Sequence, residues 1–262
     1  MTIHRTPAVV IGRRALGESD RLVDFYSLEF GKVRGVARSA RRPRSRFGSA
    51  LELFTLGELV FFETGRSDLV RIDHFDISES FVDVREHLER LGEGAWAIEC
   101  VARLSADRDP HPALFRHIVR SLRALAATRR PAWVSVCFAL HAVDLLGHRP
   151  RIDRCVGCAR PYPFRAATLD VEAGGLVCDG CAYGVDAMPV SGQAVGALTR
   201  LRGLSWDRAL RLRPASDLER EMAGLVENLM ARLAGQASRS SRFLGQIRRS
   251  FSLVAEPRSP YR

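Results

Sequence analysis

Residues 69–91, LVRIDHFDISESFVDVREHLERL, contain the change of pattern that decides the fold class. Leu69 to Ile77 reads as a short strand. After Ser80 the strand-like alternation ends, and Phe81, Val84, Leu88 and Leu91 recur at spacings of three and four, which is the period of one helix face. The chain before this point reads as β-structure and the chain after it as mainly helical, so an α+β fold is expected.

Working back from the switch, Val9-Val10-Ile11, Leu22 to Tyr26, Val33 to Val36 and Leu51 to Glu63 are short β-branched or aromatic runs separated by turn signals. Phe30-Gly31-Lys32 predicts a hairpin turn with a positive φ at Gly31. A small barrel follows from so many short strands within residues 1–79, because closing the sheet removes exposed edges. An OB-type barrel is the expectation and an SH3-like barrel the alternative.

Working forward, 93–106, 112–127 and 131–147 continue the helical period. Pro131 suits a first helical turn and Gly147 a helix end. The helix between them is apolar nearly all round, which places it at the centre of a bundle. Cys100 and Cys137 lie on these helices and read as core residues. Helices resume at Ser191 to Leu204 and from Asp217, where Ser216 and Glu219 predict a capping box. In 238–254, Phe243, Ile247, Phe251 and Val254 form a stripe that docks on its own domain or, alternatively, lies on a membrane surface. The expected organisation is a barrel domain over 1–79 and an all-α helical bundle over 80–262, with an inserted cysteine segment at 151–186. Residues 256–262 are expected to be a disordered tail.

The cysteine segment has the spacing C-x2-C-x19-C-x2-C, as Cys155-Val-Gly-Cys158 and Cys178-Asp-Gly-Cys181. Two residues between paired cysteines let both thiolates face one centre from a tight turn, and Gly157 and Gly180 suit such turns. Four sulfurs then surround one structural zinc ion, with Tyr162 to Val177 as a β-hairpin between the two knuckles. Four thiolates close the coordination sphere, so this metal has no open position for catalysis. Arg151, Arg154 and Arg160 would offset the site's negative charge.

The 262-residue chain is 46% hydrophobic and 27% charged, as ordinary globular proteins are. No run approaches the roughly 18–20 apolar residues of a membrane span. The apolar run in MTIHRTPAVVIGRRALG is too short for a signal sequence, so a cytoplasmic protein is expected. Net charge is +10, which makes polyanions the partners to consider first. Lys32 is the only lysine, a skew that codon bias explains without reference to function. The densest basic run is 32–46, KVRGVARSARRPRSR, in which Lys32, Arg34, Arg38, Arg41, Arg42, Arg44 and Arg46 face no acidic neighbour in sequence. We expect its second half to be a mobile loop that tracks phosphates. Phe25, Tyr26 and Phe47 are the nearest candidates for base stacking, although at least two of the three read as barrel core. Neither a phosphate-cradling G-x-x-x-x-G-K-[ST], a G-x-S-x-G elbow nor a close carboxylate cluster occurs, so no catalytic residue is assigned.

Gly17-Glu18-Ser19-Asp20, Phe30-Gly31-Lys32 with Gly35-Val36-Ala37-Arg38, Leu146-Gly147-His148-Arg149-Pro150 before the first knuckle, Gly174-Gly175 before the second, and Ser241-Arg242-Phe243-Leu244 occur in that order over nearly the whole chain. As a set they resemble the RecO family of bacterial recombination mediators. The resemblance implies an OB-fold N-terminal domain and a helical C-terminal domain. It implies a nucleoid-associated, non-enzymatic protein that binds single- and double-stranded DNA and anneals complementary strands. The partners it implies are RecR and the acidic C-terminal tail of single-strand-binding protein, with a functional link to RecA. Three alternatives are a sequence-specific zinc-containing transcription regulator, a nucleic-acid enzyme and an interaction hub.

Overall fold

The computed structural model describes residues 2–63, 65, 67–182, 188–235, 240 and 243–248. Strands β1 (Thr2–Leu16), β2 (Asp20–Ser27), β3 (Gly31–Ala37), β4 (Leu56–Glu63) and β5 (Val70–Glu79) form a closed barrel in the order β1-β2-β3-β5-β4, with β4 returning to β1. The β3–β5 pairing is parallel and the other ladders are antiparallel. This is the OB-type arrangement that the strand count predicted.

Two strand boundaries differ from the sequence reading. β1 is far longer than Val9-Val10-Ile11. Its first half pairs with β4 and its second with β2, and a bulge between Val10 and Gly12 lets it bend from one to the other. Its ends are mostly exposed, and their few apolar residues, Ile3, Ala15 and Leu16, form no strand-like alternation. Conversely, Leu51 and Phe54 are buried but lie in turns, and β4 starts only at Leu56.

Gly31 closes the β2–β3 hairpin at φ 60. Ser27 holds the turn, accepting the Phe30 N–H at 3.1 Å and donating to the Gly31 carbonyl at 3.0 Å. A side chain at Gly31 is also excluded by space, since its Cβ would stand 2.2 Å from the Asp109 carbonyl oxygen. Gly35 lets β5 close on β3, its hydrogen lying where a Cβ would meet Val70 at 2.7 Å.

The chain forms two compact units, one of residues 1–129 with the segment from 242 onward, the other of 130–241. The switch from strand to helix near residue 80 therefore falls inside the first unit. Helices α1 (Val82–Arg85), α2 (Leu88–Leu104) and α3 (Pro112–Ala127) belong to it with the barrel. Residues 243–248 are helical and bury Leu244 and Ile247 against α2 at Gly92, where Arg248 pairs with the buried Glu93 at 2.7 Å. The stripe thus docks on its own unit, although Phe243 stays exposed. Phe251, Val254 and the 256–262 tail lie outside the described residues.

In the second unit, α4 (Pro131–Leu145) is buried on all sides, as its composition predicted, and carries Cys137 with no exposed surface. Burial pushes that thiol up to about 12. Around α4 lie α5 (Gly192–Arg202), α6 (Trp206–Arg211) and α7 (Ser216–Leu233). The Trp133 indole donates to the Ala209 carbonyl at 3.0 Å. The expected capping box does not form. Ala215 is the N-cap of α7 and makes no side-chain cap, while the Glu219 carboxylate is taken by Arg130. A charge-assisted pair outcompetes a capping hydrogen bond.

Candidate metal centre and the basic edge of the barrel

Between α4 and α5, β6 (Ala167–Asp170) and β7 (Gly175–Cys178) form the antiparallel hairpin expected between the knuckles. A third strand, β8 (Met188–Val190), which was not foreseen, pairs with the other edge of β6. Arg151 is stitched to the start of β7. Its N–H donates to the Gly174 carbonyl at 2.7 Å and its carbonyl accepts from Leu176 at 2.8 Å. These contacts bring the loop that follows Arg151 over the end of β7, so both cysteine pairs meet.

All four sulfurs, of Cys155, Cys158, Cys178 and Cys181, lie within 4.8 Å of one another. Cys158 and Cys178 are 3.7 Å apart, sulfur to sulfur. A tetrahedral ion with metal–sulfur bonds of about 2.3 Å needs sulfurs about 3.8 Å apart, so the donor set fits a metal ion of that kind. Burial raises the Cys155 thiol, but N–H groups of Cys178, Cys158 and Gly157 directed at its sulfur outweigh this and lower it to about 6. Cys181 moves the other way, to about 12, through hydrogen bonds with the sulfurs of Cys158, Cys178 and Cys155. Metal binding by such a cluster requires its thiols to give up their protons. Among the described residues, no other group of three or more histidine, cysteine or acidic side chains is placed to hold an ion.

The two knuckle glycines are not equivalent. A Cβ on Gly157 would come within 3.3 Å of both Cβ and Sγ of Cys181, whereas open space surrounds Gly180 and its φ is ordinary. Gly180 is therefore not required by the turn, contrary to the sequence argument. The left-handed position falls instead at Ala159, φ 61. Of the three nearby arginines, Arg154 pairs with Asp153 at 2.9 Å, and the Arg151 and Arg160 side chains are exposed.

The basic run behaves differently from the loop that was expected. After β3 it makes a succession of tight turns and sends Ala40, Phe47, Ala50 and Leu51 into the barrel core. It is also clamped to the β1–β2 turn. Ser39 N–H donates to the Asp20 carboxylate at 2.8 Å, Arg41 N–H to the Ser19 carbonyl at 2.9 Å, and the Arg41 guanidinium to the Gly17 carbonyl at 2.8 Å. The Ser39 N–H, followed by the Ser19 hydroxyl, holds the Asp20 carboxyl below its usual range. Arg38, Arg41, Arg42, Arg44 and Arg46 all point outward from this clamped turn. Arg46 lies over the Phe47 ring, 5.1 Å from its centroid.

Lys32 and Arg34 are placed apart from these five. Lys32 is bound to Asp107 at 2.9 Å and to the Ala102 carbonyl at 2.7 Å, and Arg34 is paired with Asp24. Sequence order concealed this, because Asp107 follows Lys32 by a long stretch of chain. Phe25, Tyr26 and Phe47 are all buried and cannot stack on bases; Phe25 and Phe47 belong to the barrel core, while Tyr26, next to Phe25 on β2, is covered on the opposite face near Ser105 and Asp109.

An OB-type barrel with an arginine edge, combined with helices and a cluster of four cysteines placed to hold a metal ion, defines a class of barrel proteins with a cysteine knuckle. Comparison with known families makes the assignment specific. Residues 1–81 match the family described as Recombination protein O N terminal, and residues 85–242 match Recombination protein O C terminal. Relatives named DNA repair protein RecO include one from Anaeromyxobacter sp. (strain K), 37% identical over 246 residues, or 91% of this chain and 94% of that one. Another, from Geobacter sulfurreducens, is 36% identical over 201 residues, covering 76% of this chain and 80% of its own. The chain belongs to the RecO family.

Proposed function

We propose that this protein is a non-enzymatic recombination mediator of DNA repair, which binds single- and double-stranded DNA and anneals complementary strands. The observation that carries this reading is the clamped turn of five outward arginines on an OB-type barrel in a chain of the RecO family. Guanidinium groups neutralise phosphates and release counterions without reading sequence. Two strands held this way lose their mutual repulsion while their base edges stay free to pair, and pairing is downhill, so no nucleotide hydrolysis is needed. Arg38, Arg41, Arg42, Arg44 and Arg46 make the primary contacts, with Lys32 and Arg34 joining only when their carboxylate partners yield.

Zinc is the ion we assign to Cys155, Cys158, Cys178 and Cys181, in a structural role. RecR and single-strand-binding protein are the expected partners, with RecA loading as the outcome. For the acidic tail of single-strand-binding protein we assign a cleft of about 320 Å³ in the second unit, floored by Trp133, Leu201, Leu212 and Leu218 and flanked by Arg200 and Arg213. An apolar floor with two guanidinium groups suits a peptide ending in acidic and apolar residues. No helix among the described residues is long and apolar enough to cross a membrane, and the proposed action on DNA supports a cytoplasmic, nucleoid-associated location.

The test is annealing of complementary oligonucleotides coated with single-strand-binding protein, read by fluorescence energy transfer without ATP. Acceleration that is lost when Arg41, Arg42 and Arg44 become glutamate supports the reading. Tight DNA binding with a strong preference for one duplex sequence and no annealing would favour a transcription regulator instead.

A further inference from the structure

The β3–β5 seam that closes the barrel is short, and it leaves an opening between the first half of β3 and the turn that precedes β5. Their parallel pairing is confined to Gly35 with Val70 and Val36 with Arg71, so Lys32, Val33 and Arg34 have no partner on β5. The connection between α2 and α3 takes that edge instead. A backbone bridge joins Lys32 to Asp107, and the Arg108 N–H donates to the Lys32 carbonyl at 3.2 Å. The opening is a cleft of about 840 Å³ whose walls include Asp24, Lys32, Arg34, Glu63, Asp107 and Arg108.

Each of the three cations among these described lining residues is met by a carboxylate. Lys32 pairs with Asp107 at 2.9 Å, Arg108 with Glu63 at 2.7 Å, and Arg34 with Asp24. The carboxylates differ in how firmly they are held. Asp24 stands close over Gly12, where even a Cβ would meet it at 3.1 Å, and its side chain is mostly covered. Asp107 has a side chain 78% exposed, hangs from a loop, and faces Lys32 with Arg34 beside it. A carboxylate between two cations at the mouth of a cleft stands where a phosphate of a bound strand would stand. The face of strands 2 and 3, with the loop between strands 4 and 5, is also where OB barrels generally take single strands.

We propose that Asp107 is a carboxylate gate: it fills the phosphate seat between Lys32 and Arg34, and a single-stranded nucleic acid enters this cleft only by displacing it. The inference rests on the DNA-binding reading above and adds a second, restrained contact region to the arginine turn. An exposed ion pair is weak, so the gate yields to a strand but loosens the strand's hold at this face. A loosely held strand keeps its bases available for pairing.

The test is binding of the full chain to a fluorescent oligothymidylate, followed by anisotropy over a series of salt concentrations. Asp107→Asn should bind roughly two- to fivefold more tightly, the range an exposed ion pair is worth. The slope of log affinity against log salt should steepen by roughly 0.7, the increment for one more phosphate contact on a single strand. Both gains should vanish in Asp107→Asn combined with Lys32→Gln. Unchanged affinity and slope in Asp107→Asn overturn the gate, as does a gain that survives the loss of Lys32, which would be long-range charge alone. Asp107→Ser, with its thermal midpoint measured alongside, covers the case in which the asparagine disturbs the loop. If the unsubstituted protein does not bind the oligonucleotide, the DNA-binding reading itself fails, and that outcome is distinct from a binder indifferent to Asp107.

Discussion

At the scale of single residues, the tightest constraint is at Gly31, where a left-handed φ coincides with a carbonyl oxygen 2.2 Å from any added Cβ. Gly31→Ala should cost about 2 kcal/mol or more, since the left-handed conformation alone costs about 1–2 kcal/mol. Urea unfolding measures this, and an unchanged midpoint would show that the Asp109 loop does not press on the hairpin. Asp20 allows a test by pH. The Ser39 N–H and the Ser19 hydroxyl lower its carboxyl pKa in the folded state. A carboxyl of this kind contributes stability above its unfolded value of about 3.9, and that contribution fades as pH falls through the folded value. The Asp20 side-chain carbon should therefore titrate with a midpoint below about 3.9, and the Ser39 amide resonance should follow it. A midpoint at or above the reference value would mean that the basic turn is not clamped through this carboxylate.

Among the elements, the two knuckles make opposite predictions for the same substitution. Gly157→Ala pushes a methyl group against Cys181 and should weaken metal uptake, whereas Gly180→Ala meets open space and should leave it intact. Competition with a chromogenic chelator separates the two, and equal affinities would contradict this geometry. Cys155→Ser combined with Cys158→Ser should abolish metal content measured by mass spectrometry. The ribbon has its own small core of Cys155, Val177 and Cys178, with Val156 and Phe164 packed on it, while α4 and α7 bury a separate set of side chains. Chelation should therefore disorder the ribbon and leave most of the helical signal in circular dichroism. Loss of the whole helical signal would mean that the metal holds the entire second unit together.

For the whole molecule, the relevant quantity is charge. A net +10 attracts nucleic acid at long range, but only arginines free of carboxylate partners exchange counterions with phosphates. Four such side chains stand on the clamped turn, and Arg46 joins them when its 4.0 Å pair with Asp73 yields, so log affinity for a single strand should fall against log salt with a slope of roughly −2.8 to −3.5. A slope near zero would remove phosphate tracking from the mechanism.

The sequence alone determined the α+β class, a small N-terminal barrel, the buried central helix and the cysteine quartet, while the strand pairing decided for the OB type over the SH3-like alternative. Each of these is written in local terms: a two-residue or a 3.6-residue period, a turn glycine, or a ligand spacing that a short hairpin can close. The extent of β1 was not legible, because its ends are held by backbone pairing and are mostly exposed, with no alternating apolar pattern. Tertiary structure alone decided which cations of the basic run face outward. Lys32 and Arg34 look like Arg42 and Arg44 in sequence, but the fold brings Asp107 and Asp24 to the first pair and, among the described residues, no acid into salt-bridge range of the second. It also took Phe25 and Phe47 for the barrel core, since a barrel this small needs every large apolar side chain its strands and turns can supply, and covered Tyr26 on the other face of β2. Whether a charge or a ring is available to a ligand depends on neighbours distant in the chain, and only the closed fold brings those neighbours into contact.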